Sequence, residues 1–225
     1  MLLPLLVALA ATAPDAGSPQ VVEEVVAVLR NPVGAPPRAI TLTRLTEEAR
    51  IVLVSRGAAD AAFRPIDGPA LRATLEWLID QTLLADEAAR LTLADVGGDQ
   101  VAAELVRFQA RFATPAAYTR FLAASELTEE EVAAVLARML GVDRYLDTRL
   151  GRGAAVPDDE VQAYLLQHGL GEGSRATREA ARARLAAARL DGQVRALVAE
   201  LRGHADVRIL DPGLVPAEQA AGRGG

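Results

Sequence analysis

Catalysis needs side chains that converge, and this chain of 225 residues carries few candidates. Its two histidines, His168 and His204, both stand at predicted helix ends, where an imidazole meets unpaired carbonyls. Cysteine is absent. A metal site needs several His, Cys or carboxylate ligands in one place, so neither a metal nor any other cofactor is expected. The acidic triplets Glu129-Glu130-Glu131 and Asp158-Asp159-Glu160 fall at predicted helix N-termini. There the macrodipole favours negative charge, which accounts for them without acid–base work. Ser55, Ser125 and Ser174 have no histidine in sequence context to serve as a base, and the glycine pairs lack phosphate-loop spacing. The expectation is a protein that is not an enzyme.

What remains is recognition. Phe108, Phe112, Tyr118, Phe121, Met139 and Tyr145, with Tyr164 further on, recur at helical spacing. That spacing makes each a core candidate. Some of the first six are also expected to line a groove, as the substrate-binding set. A second route to binding is an exposed sheet edge, which accepts an extended chain through backbone hydrogen bonds and tolerates many sequences.

Composition sets the frame. Hydrophobic residues make up 51%, aromatic residues only 4%, and the net charge is −6, all 24 basic residues being arginine. Alanine and leucine dominate, which favours helix. An acidic chain without a clustered basic stripe is a poor nucleic-acid binder, because phosphate neutralisation supplies much of that affinity. The arginine-rich run from Arg175 to Arg202 is interrupted by Glu179, Asp191 and Glu200 and reads as a solvated face. The apolar run Met1 to Ala13 is too short to span a bilayer. It suits a signal-peptide core with small residues before the cut, although no arginine precedes it. Residues 1–13 are therefore expected to be an export signal, and the mature protein periplasmic without stable membrane insertion.

The elements follow from pattern. Val25–Leu29 is β-branched and stopped by Asn31-Pro32, and Ile40–Leu42 is a second strand candidate, with Thr43 as the cap of the next helix. Leu71, Leu75, Leu78, Ile79, Thr82 and Leu83 form one helical face, and Trp77, Leu84, Ala88 and Leu91 a second. A helix apolar on two sides belongs in the centre. Val101, Leu105, Phe108 and Phe112 mark another helix behind a weak Gly97-Gly98 cap. Thr114-Pro115 opens a short one, and Thr128 with Glu131 makes a capping box for a long one. A short helix around Val161 and Leu165 precedes a glycine linker. A final long helix spans Thr177–Arg202, interrupted at Gly192 and closed by a left-handed Gly203. Val207–Leu210 is strand-like, and pairing with Val25–Leu29 would satisfy both. The expected fold is mainly α: a multi-helix body with a small antiparallel sheet of N-terminal strands and a C-terminal strand.

These runs, in this order, resemble the SurA family of periplasmic chaperones. The opening Val21-Val22-Glu23-Glu24-Val25-Val26-Ala27-Val28-Leu29 with Ile40-Thr41-Leu42-Thr43 is similar to that family's first strands. Leu71 to Leu84, which contains Leu78-Ile79-Asp80 and Leu83-Leu84, resembles its "L-x-x-L-I-D-x-x-L-L" helix. Ala113-Thr114-Pro115 through Leu122, Leu127 to Glu131, Asp143-Arg144-Tyr145-Leu146, and Val156 to Tyr164 resemble later pieces. The resemblance covers Val21 to Leu210. It implies a chaperone-like domain over residues 21–168 and a closing helix and strand over 177–210. The family's parvulin isomerase domain would belong at 169–176, where only a linker stands, and 211–225 reads as a disordered tail. The resemblance implies an ATP-independent chaperone for unfolded outer-membrane proteins or other polypeptides, active in outer-membrane biogenesis but without isomerase activity. The alternative is a structural or adaptor module of the envelope that binds one folded partner or itself.

Overall fold

The computed structural model describes residues 23–30, 36–151, 155–171 and 173–215. The proposed signal segment, residues 1–13, lies outside the described residues. Among those described, the chain forms seven α-helices and three short strands. Strand β1 (Val25–Arg30) lies between β2 (Arg38–Thr41) and β3 (Asp206–Ile209), and both pairs are antiparallel. The two ends of the fold therefore meet in one sheet, as the sequence suggests. The register with β2 slips between Val25 and Ala27. This irregularity lets Val26 and Ala27, neighbours in sequence, both be buried, which simple alternation would forbid.

Helix α1 (Leu42–Ser55) starts two residues earlier than the sequence suggests. Thr41, not Thr43, is its cap: the Thr41 hydroxyl accepts a hydrogen bond from the Arg44 backbone N–H at 3.3 Å. Leu42 is thus helical rather than the end of a strand. Helix α2 (Gly68–Arg90) is capped by Asp67, whose Oδ1 accepts from Ala70 N–H at 2.8 Å, with proline in the first turn. It is the central element. The first half of α2 buries Leu75, Leu78 and Ile79 against Val26, Leu29, Ile40 and Leu45. The second half buries Leu84 and Ala88 against Val142, Tyr145 and Leu197. Truncating any one of these fully buried leucines to alanine typically costs about 2–5 kcal/mol.

Helices α3 (Gly98–Gln109), α4 (Pro115–Ala124) and the start of α5 (Glu129–Leu150) close a third core with the end of α1. The capping box of α5 is formed: Glu131 N–H donates to Thr128 Oγ1 at 3.2 Å, and Thr128 N–H to Glu131 Oε2 at 2.7 Å. Glu48 on α1 is buried and is held by Arg44 at 3.2 Å and by Arg138 of α5. Helix α6 (Asp158–Gln167) packs only a small core, Val161 and Leu165, against Ala181 of α7 (Arg175–His204).

The linker after α6 is structured where it is described. Gly169, at φ +69°, sits in a Schellman turn, with Gly169 N–H donating to Leu166 O at 3.1 Å and Leu170 N–H to Leu165 O at 2.9 Å. Helix α7 then runs unbroken through Gly192 and past Gly203 to His204. Ser174 caps its start and Ala205 leaves in extended conformation, so Gly203 is not a left-handed cap. The packing of the chain also continues beyond β3. Leu214 is buried beneath α2, and Gly213 O accepts from the Arg72 guanidinium at 3.0 Å. Residues 211–215 are therefore part of the body rather than a tail; residues 216–225 lie outside the described ones.

One side chain fixes α7 to α2. Arg202 donates through Nε to Asp80 Oδ1 at 2.6 Å and through its terminal nitrogens to Glu76 Oε2 at 2.7 Å and Glu76 O at 3.1 Å. Burial holds the Asp80 carboxyl above the ordinary carboxylate range, and Arg202 offsets part of that penalty. Arg202→Ala leaves Glu76 and Asp80 half-buried without their cation. The expected loss is about 2–3 kcal/mol in urea unfolding. Arg182→Ala, whose partner Asp158 is 92% exposed, is expected to cost under about 0.5 kcal/mol. Equal costs for the two would contradict the account.

Candidate functional site

The expected aromatic set does not form one surface. Phe108, Phe112, Tyr118 and Phe121 come together, with ring centroids 5.2–6.4 Å apart in tilted and edge-on pairs. All four are buried, at 0–8% exposure. The Tyr118 hydroxyl donates to Glu129 Oε2 at 3.2 Å, which satisfies its polar end. Tyr145 is fully buried in the separate core between α2, α5 and α7. Met139 is only half-buried on α5 between the two. Five of the six candidates are thus interior packing, the core role that their spacing suggests. The physical reason is composition. A chain with so few aromatics spends them where their area fills gaps between alanine-rich helices.

Three surface features remain. The first is the outer edge of β3. Leu210 N–H donates to Val26 O at 2.8 Å, so residues 206, 208 and 210 face β1. Strand alternation then turns the backbone groups of Val207 and Ile209 outward. No strand covers that edge among the described residues. Beneath it runs a groove of about 220 Å³ between β3, the end of α7 and α2, lined by Ile79, Val207, Ile209, Glu76 and Arg202. Glu76 Oε1 in this groove has no hydrogen-bond partner. The side chains of Asp206 and Arg208 point to solvent and pair at 3.0 Å, the kind of charge that discourages uncontrolled edge pairing.

The second feature is an apolar pocket of about 140 Å³ between α1 and α2, beside Trp77. Trp77 was legible as part of the second apolar face of α2, but the spacing alone did not show that this face stays partly open. The third is a shallow cleft of about 600 Å³ between α3 and α5. Asp99, Asp143 and Asp147 line it together with Arg107 and Arg144. Arg144 is engaged with Asp95 O at 2.8 Å and Arg107 with Glu104 at 2.5 Å. Burial raises the Asp143 carboxyl above its ordinary range, and the like charges of Asp147 and Glu104 add to that.

The histidines sit as expected. His168 caps the end of α6, its Nδ1 lies 2.8 Å from Tyr164 O, and its ring stacks on Tyr164 at 4.0 Å. His204 ends α7. Among the described residues, no group of three His, Asp or Glu side chains could hold a metal ion, and no helix is long and apolar enough to cross a membrane. No protein-family model matches the chain, and neither a curated protein nor a solved structure is significantly similar to it.

The Asp143 environment makes a signed prediction. A carboxyl whose folded pKa is raised contributes stability at low pH that is lost as pH rises through that pKa. Asp143→Asn removes this neutral-pH cost. It is expected to stabilise the protein at pH 7, by less than about 1 kcal/mol because the carboxyl is only partly withdrawn from solvent and water screens much of the penalty. The gain should vanish below pH ~3, where the wild-type carboxyl is protonated in both states. Urea titrations at the two pH values measure it.

Proposed function

We propose that this protein is an ATP-independent periplasmic chaperone that binds unfolded outer-membrane protein precursors and has no isomerase activity. The observation that carries the reading is the β3 edge, uncovered among the described residues, above a part-apolar groove. Such an edge binds extended polypeptide through main-chain hydrogen bonds, and a groove beneath it accepts alternate side chains of the added strand. This requires no catalytic constellation. The fit to precursors that will become β-strands is chemical: their backbones are extended and their side chains alternate.

The resemblance to the SurA family supports the same reading through architecture. The N-terminal strands and the C-terminal strand join in one sheet around a helical body. Only residues 168–174 separate α6 from α7, where the family's isomerase domain would stand. Moderate affinity suffices for a holding chaperone. A dissociation constant of about 1 μM corresponds to roughly −8 kcal/mol, which distributed backbone and apolar contacts can supply.

The test is suppression of aggregation of a urea-unfolded outer-membrane protein, followed by light scattering without nucleotide. Val207→Pro removes an outward-facing N–H while leaving the β1–β3 hydrogen bonds, so it should cut the protection at least about fivefold with the circular dichroism unchanged. Arg208→Pro breaks a β1 contact and should unfold the sheet instead. Wild-type protein that leaves the client to aggregate yet retains one folded envelope protein would replace the chaperone reading with the adaptor.

A further inference from the structure

The pocket between α1 and α2 has a composition that the β3 edge lacks. Its walls are apolar, formed by Val52 and Leu53 of α1, Ile66 of the intervening loop and the Trp77 ring of α2. Two polar side chains complete the lining, Arg56 and Thr74. Among the described residues, neither has a side-chain hydrogen bond or ion pair. Arg56 is exposed, whereas Arg44, Arg138 and Arg202 are each occupied by carboxylates. The local fold explains its position. Arg56 is the C-cap of α1, and Gly57 at φ +84° turns the chain back, with Gly57 N–H donating to Val54 O at 2.9 Å and Ala58 N–H to Leu53 O at 2.9 Å. The loop then returns through the buried Ala62, whose carbonyl is held by Arg50, and brings Ile66 to the pocket wall.

An apolar hollow with an unpaired guanidinium at its rim matches a ligand that carries an apolar group next to a carboxylate. The charge complementarity is specific, because guanidinium binds carboxylate in a planar, two-bond geometry. Size selects the source of the carboxylate. At about 140 Å³ the hollow takes one side chain, while pockets for whole small molecules run to roughly 300–1,000 Å³. A long acyl chain exceeds it; the last residue of a polypeptide does not. We propose that this pocket binds the C-terminal residue of a polypeptide, the apolar side chain against Trp77 and the terminal carboxylate on Arg56, with the Thr74 hydroxyl as a second donor. The proposal rests on the polypeptide-binding reading and adds a preference for chain ends to it.

Trp77 is the only tryptophan in the chain, so its emission reports the pocket directly. Octapeptides ending in leucine, as free acid and as C-terminal amide, are titrated into the full chain, with laurate as a third probe. The free acid should give a saturable emission change and the amide should bind at least tenfold more weakly. Arg56→Gln should erase the difference between acid and amide. Ala73→Phe, at an exposed lining position, should fill the hollow and abolish both titrations while the fold is retained. Equal affinity of acid and amide, an acid preference that survives in Arg56→Gln, or tighter binding of laurate than of the peptide would each overturn the proposal. The light-scattering assay separates the two claims. Protection of an unfolded client without acid preference defeats the pocket alone, and acid-selective peptide binding without protection defeats the chaperone reading alone.

Discussion

Arg202 stands between Glu76 and Asp80, and through that contact the last helix is fixed to the central one. The partners are 122 and 126 residues away in sequence. The contact sits one turn before the chain leaves α7 for β3, so it also sets where β3 meets β1. Leu201, Ala205, Val207 and Ile209 then pack on the core beneath the sheet, and Leu214 follows under α2. Glu48 with Arg44 and Arg138 repeats the device between α1 and α5. Alanine-rich α7 buries little apolar area, and in both cases a charge-assisted hydrogen bond fixes a helix against its neighbour.

This division of labour shapes what the surface offers. The large aromatic residues are consumed inside, in the core of α3, α4 and α5 and around Tyr145. The surface left open among the described residues is instead the backbone edge of β3 and the half-open hollow at Trp77, and the proposed binding rests on these. Both suit partners recognised by extended backbone and isolated side chains rather than by a complementary folded face. Helix α6 and the first half of α7 form a smaller unit with its own core of Val161, Leu165 and Ala181, and they expose Leu166 and Leu170.

Much of the architecture was readable because the periodicities are strong. The two apolar faces of Leu71–Leu91 marked α2 as central, and the Thr128–Glu131 box marked the start of α5. The pairing of the first and last strands followed from the need to satisfy lone backbone groups. Sequence pattern and structure differ where a local rule competes with tertiary contacts. Ile40–Leu42 was β-branched enough to read as strand, but Thr41 captured the cap and Leu42 entered the helix. Gly203 suggests a stop, but the helix runs on and the chain leaves it for β3 two residues later, at Ala205. Leu214 reads as part of a disordered tail, yet α2 offers it a buried site. The site was less legible than the fold. Helical spacing shows that an aromatic residue faces something, not whether that something is core or client. Arg56 left no pattern at all, since its meaning depends on the absence of a partner in space.

The central claim is that the first and last strands close one cooperative body through β1, α2 and α7. Native-state hydrogen exchange measures it residue by residue. The amides of Val28 and Arg208, paired across the sheet, should exchange with the same opening free energy as those of Leu78 and Ile79 in α2, and with the same denaturant dependence, as members of one cooperative unit. Exchange of the Arg208 amide through a low-energy local opening, while α2 stays protected to the global limit, would contradict the account.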